Sequence, residues 1–106
     1  MIATAETFST EVESRLPVLR DGAEVVRIAQ ALADPHRVTI VRHLLSDIEL
    51  NVTEICNRLE QSQPAVSHHL KRLRESRVLT MRRAGKCNFY SLSATCSDLV
   101  RSLMLV

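Results

Sequence analysis

Apolar residues recur along this chain at helical spacing until its last third, where the pattern changes to that of a strand pair. Phe8, Val12, Leu16 and Leu19 form a first stripe at steps of three and four. Pro17 falls inside it and should kink or end that helix, and Asp21-Gly22 reads as a break. Val25, Ile28, Ala29 and Leu32 predict a second helix over 23–32. Asp34 can cap the next one and Pro35 suits a first helical position. That helix should reach about residue 46, with Val38, Val41, Leu44 and Leu45 inward. Asn51 can cap another, whose inner face is Val52, Ile55, Cys56 and Leu59, and Glu60-Gln61 supplies a turn. Ser62 can then start a further helix with Pro64 in its first turn, and Val66, Leu70 and Leu73 make its stripe. Gln63, Ser67, His68, Lys71, Arg72 and Arg74 lie off that stripe. Residues 78–83 and 87–92 read as strands joined by Ala84-Gly85-Lys86, where Gly85 supplies a positive φ. Thr95 or Ser93 can cap a last helix with Leu99, Val100, Leu103 and Met104 on its apolar face.

The expected fold is therefore mainly α with a small β-hairpin. Two short helices joined by a tight turn, the second polar at its start, form a helix-turn-helix, and the hairpin is its wing. With 106 residues the chain makes one domain, 1–106. Residues 1–21 would be a helical extension that packs on a partner subunit or frays, and 93–106 would be a C-terminal dimer helix. A chain this short buries only about 60–68% of its unfolded surface, so a second copy would help it. Phe8, Phe89 and Tyr90 are the aromatic residues and there is no Trp, so the core must be aliphatic.

Charge sharpens the picture. Residues 62–93 hold seven basic side chains and one acid, a net +6, while the whole chain is only +2. Cations concentrated around a polar helix face and a hairpin are the electrostatic footprint of a phosphate-binding surface. A solvated amphipathic helix would also carry charge, but it does not require cap, polar face and basic hairpin together. There is no run of 18 apolar residues and no secretory start, and three unpaired cysteines suit a reducing cytosol, so a cytoplasmic protein is expected. A Gly-rich phosphate loop, a Gly-x-Ser-x-Gly elbow and a paired-carboxylate or Cys/His constellation are all missing, which argues against an enzyme.

The runs Q-P-A-V-S-H-H-L-K-R-L-R-E-S-R-V-L and R-R-A-G-K-C-N-F-Y-S-L resemble the recognition helix and wing of the ArsR–SmtB family. Upstream, A-L-A-D-P-H-R-V-T-I-V-R-H-L-L and E-L-N-V-T-E-I match the same family, so the resemblance covers residues 25–92. It implies a homodimeric winged-helix repressor that binds a pseudo-palindromic DNA operator and is released by metals, metalloids or thiol stress. It implies DNA contacts at Gln63, Ser67 and His68, and wing contacts at Arg82, Arg83 and Lys86; Lys71 and Arg72 join them as cations of the same helix. A winged-helix module for protein interaction, or a ligand-independent repressor, is the alternative; the basic wing favours DNA.

Metal sensing is where the chain departs from the family. The run that carries cysteines there, E-L-C-V-C or E-L-C-V-G, is Glu49-Leu50-Asn51-Val52-Thr53 here, and Asn and Thr are poor ligands for soft ions. The last helix offers Cys96 and Asp98 but no His. His36 and His43 are seven residues apart, about 10 Å along the axis, and His68 and His69 differ by about 100° around it, so neither pair easily shares an ion. No metal site is therefore assigned. If a soft metal or metalloid, or thiol oxidation, is the inducer, the thiols must receive it. Cys56 lies on an apolar face and reads as structural. Cys96 is the first candidate, because a helix N-terminus favours a thiolate, and Cys87 is the second.

Overall fold

The structure, a computed structural model, describes residues 21–105. The stripe from Phe8 to Leu19 lies outside the described residues. Five helices and three strands are described: α1 Gly22–Ala31, α2 Pro35–Ser46, β1 Leu50–Asn51, α3 Val52–Leu59, α4 Gln63–Glu75, β2 Leu79–Ala84, β3 Cys87–Leu92 and α5 Ser97–Met104.

Local chemistry starts four of the helices. The Asp21 carboxylate accepts from the Glu24 amide at 2.8 Å, and Asp34 accepts from the amides of His36 and Arg37. Asn51 and Glu54 form a reciprocal capping box, each side chain accepting from the other's amide at 2.9 Å. Ser62 Oγ accepts from the Ala65 amide at 3.3 Å, which fixes the start of α4. The fifth start differs from expectation. Helix α5 begins after Cys96 with no side-chain cap, and Ser93 Oγ instead accepts from the Thr95 amide and pairs with its hydroxyl. That hydroxyl pair holds the turn before the helix.

The hairpin is tighter than expected and belongs to a larger sheet. Ala84 pairs with Cys87, so Gly85 and Lys86 alone make the turn, with Gly85 at φ 61°. A third strand, β1, adds to β3 through Leu50↔Tyr90 and Asn51↔Phe89, giving the order β1-β3-β2. Two residues are too few to show strand alternation, so sequence pattern does not reveal β1.

The core is aliphatic apart from Tyr90 and Cys96: Ile40, Val41, Val66, Leu73, Val78 and Val100 have no exposed surface, and Ile28, Ile55 and Leu70 have 1%. Inward faces are rotated from the expected ones in two helices. In α1, Ile28 and Ala31 are buried while Val25 and Ala29 are exposed, because only the last turns of the helix reach the core. In α2, Ile40 joins Val41 and Leu44, and Val38 and Leu45 are half-buried.

The joint between these two helices holds a buried charge. Arg37 is buried in α2, and its Nε donates to the Ala31 carbonyl at 2.6 Å. Its Nη2 reaches the Gln30 carbonyl at 3.5 Å. A cation at a helix C-terminus satisfies orphan carbonyls and meets the negative end of the dipole. The D-P-x-R run thus caps two helices at once: Asp34 starts α2 and Arg37 ends α1.

Candidate nucleic-acid interface

Helix α4 is pinned by the face the spacing predicted, with Val66, Leu70 and Leu73 all buried. Burying that stripe turns the opposite side outward. Gln63, Ser67, His68, Lys71 and Arg72 are exposed along it, and Arg82, Arg83 and Lys86 are exposed on the wing. The helix ends in a paired-amide motif: the Arg77 amide donates to Arg74 O at 2.9 Å and the Val78 amide to Leu73 O at 2.9 Å. The residue between, Arg77, takes the left-handed conformation at φ 62°, a place that favours glycine. Arg27 of α1 ties this end down by donating from Nε to Ser76 O at 3.0 Å.

Helix and wing converge. Gln63, at the start of α4, and Lys86, in the hairpin turn, line one hollow of about 170 Å³ with Asn51, Val52, Thr53, Cys87 and Asn88. Thr53 and Asn88 were not among the sequence candidates. Only the return of the wing beside the start of α3 makes them neighbours, and no local pattern signals it. A second hollow, of about 340 Å³, is lined by Lys71, Arg74 and Glu75.

The wing cations differ in their surroundings. Arg83 Nε donates to the Gly85 carbonyl at 3.2 Å and Nη1 reaches Asn88 Oδ1 at 3.4 Å, which curls it over the turn. Arg82 makes a two-point pair with Glu49, at 3.0 and 2.7 Å. The Arg82 guanidinium holds the Glu49 carboxyl below its usual range, and Glu49 in turn raises Arg82.

The histidines separate by face. His68 is exposed on the outer side of α4, and His69 turns inward toward the start of α2. His69 Nδ1 is buried without a hydrogen-bond partner among the described residues and lies 3.9 Å from Asp34 Oδ1. Burial pushes the His69 imidazole below its usual range; Arg37, His36 and His68 add to this, while Asp34 opposes it. Burial alone would raise Asp34, but the amides of Arg37 and His36 hold its carboxyl low, with help from the charges of His69 and Arg37.

The thiols fall differently from their sequence ranking. Cys96 does sit at the start of α5, yet it is 2% exposed. Its Sγ lies 3.6, 3.7 and 3.9 Å from the carbonyl oxygens of Arg77, Val78 and Ser93. The thiol is thus enclosed among carbonyl acceptors and shielded from solvent, whereas a reactive thiol is accessible. Cys87 is exposed, and Cys56 is half-buried. A metal fits this donor set poorly: Asn51 and Thr53 stand where thiols would be needed, and Asn51 is occupied by its capping box. Among the described residues no three His, Cys, Asp or Glu side chains form a group that could hold an ion.

Known proteins share this arrangement. Residues 34–80 match the family described as "Bacterial regulatory protein, arsR family". The arsenical resistance operon repressor of Escherichia coli (strain K12) is 46% identical over 69 residues, which are 64% of this chain and 58% of that protein. The transcriptional activator HlyU of Vibrio cholerae is 40% identical over 76 residues, 72% of this chain and 69% of that one. A solved structure of HlyU from Vibrio cholerae N16961 superposes with a TM-score of 0.75 at 34% identity, covering 83% of this chain and 96% of that chain.

Proposed function

Because the chain belongs to the arsR family of bacterial regulatory proteins, we propose that it is a sequence-specific DNA-binding repressor that docks α4 in the major groove and the β2–β3 wing on the flanking backbone. The observation that carries this is the joint exposure of Gln63, Ser67 and His68 on one helix face whose start shares a hollow with Lys86 of the wing. Gln63 is suited to two-point pairing with adenine, while Lys71, Arg72, Arg83 and Lys86 suit phosphate. The repressor sense follows the name of the Escherichia coli relative.

The working unit in this reading is a homodimer in the cytoplasm. Val25 and Val26 on α1, and Leu103 and Leu105 at the end of α5, are large apolar side chains exposed in the protomer. A second copy covering them would present two recognition helices to a pseudo-palindrome with half-site centres about 10–10.5 base pairs apart, or a multiple. A soft metal, metalloid or thiol reagent remains the class of signal that the family suggests, and Cys87 is the exposed thiol it would meet. No step through a metal ion follows from these residues.

Binding to the duplex upstream of its own gene, followed by fluorescence anisotropy, tests the reading. Gln63→Ala should lose about 1–3 kcal/mol at one operator position and relax preference there. Lys86→Ala should weaken all sequences alike and lower the salt slope by about one unit. Equal weakening of operator and random DNA by Gln63→Ala would remove base readout from the start of α4.

A further inference from the structure

Glu49 and Arg82 meet between the helix-turn-helix and the wing. Arg82 Nε donates to Glu49 Oε2 at 3.0 Å and Nη2 to Oε1 at 2.7 Å. This two-point geometry fixes direction as well as distance. The guanidinium carbon also lies 4.9 Å from the centre of the Phe89 ring. Phe89 is on the central strand, paired with Arg82 on one side and Asn51 on the other. Glu49 directly precedes β1, which leads into α3. The pair therefore spans the sheet, joining the outer wing strand to the segment that opens the helix-turn-helix, 33 residues away in sequence.

We propose that this pair is a latch that sets the wing against the recognition helix, and that Arg82 is a positioning residue: it holds Arg83 and Lys86 at the DNA backbone without contacting phosphate itself. A phosphate drawn to Arg82 would be brought up against the Glu49 carboxylate, which repels it. Glu49 already neutralises Arg82, so Arg82 displaces few of the counterions condensed on the DNA. What the pair supplies is geometry. With the latch open, the hairpin is still held to the body by β1–β3 pairing and by the core packing of Leu79, Met81, Tyr90 and Leu92, but its turn end loses a side-chain tie across the sheet. The latch rests on the DNA-binding reading above.

The test is a salt series on the upstream duplex and on a random duplex, read by anisotropy. Arg82→Ala should weaken both duplexes about two- to fivefold, the range of an exposed ion pair. Its log–log salt slope should match wild type, whereas loss of a phosphate contact would lower the slope by about 0.9. Glu49→Gln removes a negative charge from the DNA face, and it should nevertheless weaken binding. The charge-swapped protein, Glu49→Arg with Arg82→Glu, should recover to within about twofold of wild type. A slope reduced by about 0.9 in Arg82→Ala would overturn the latch. So would tighter binding by Glu49→Gln, or a swapped protein that binds worse than Arg82→Ala. Wild-type protein that bound no duplex would instead remove the DNA reading itself, and with it the latch.

Discussion

Arg37→Met should loosen the joint between α1 and α2 without touching the DNA face. Methionine keeps most of the aliphatic stem and its packing, and it removes the donors and the charge. The Gln30 carbonyl still has the Ala33 amide at 3.2 Å. The Ala31 carbonyl loses its 2.6 Å donor, and Pro35, four residues on, has no N–H to replace it. A buried hydrogen bond to a charged group is worth about 1.5–3 kcal/mol, and a cation at a helix C-terminus adds about 0.3–1. Releasing the guanidinium from its buried place returns part of this, so a net loss of about 2 kcal/mol is expected. For a chain of 106 residues, total stability is on the order of 5–15 kcal/mol, so the change is large. Urea unfolding at one fixed protein concentration measures it. With a slope of about 1.5 kcal/mol/M, the midpoint should fall by about 1.3 M with the slope unchanged. Salt dependence of DNA binding should stay as in wild type. A midpoint shift under about 0.3 M would refute the capping role of Arg37, because an unfilled buried carbonyl cannot cost so little.

Two further predictions concern α4 and the turn that ends it. Burial holds His69 below the ordinary histidine value of about 6.5, so below that pH the unfolded chain binds the extra proton and the folded chain resists it. Stability should therefore be full above about pH 6.5 and fall as pH drops below it; His69→Gln should flatten thermal melts between pH 7.5 and 5, and an unchanged profile would count against the burial effect. Arg77 sits at φ 62° in the turn that ends α4, and Arg77→Gly should raise stability by about 1 kcal/mol in urea unfolding, since glycine bears no Cβ penalty there; a loss of stability would show that the Arg77 side chain contributes more than its backbone costs.

Much of this protein was legible in its sequence because much of its structure is local. The starts of α1 to α4 depend on side chains that accept amides three residues away or closer, and those pairs can be read directly. The stripe of Val66, Leu70 and Leu73 fixed which side of α4 faces out, and with it the exposure of Gln63, Ser67 and His68. Gly85 marked the wing turn, and the surplus of cations marked the surface. Family motifs carried the rest of that reading.

What spacing could not supply was the company each side chain keeps across the fold. Arg82 read as one of three alike wing contacts with Arg83 and Lys86, and nothing in the spacing signalled its pairing with Glu49, 33 residues earlier. Cys96 looked like an activated thiol at a helix start until the carbonyls of Arg77 and Val78, 19 and 18 residues away, enclosed it. Val25 and Ala29 satisfied the helical period but found no core, because α1 reaches it only through Ile28 and Ala31. Periodicity and capping are decided within a turn or two of backbone, where sequence distance and spatial distance agree. Charge pairing, burial and desolvation depend on neighbours brought together by the chain's return, and the tertiary structure alone determines those.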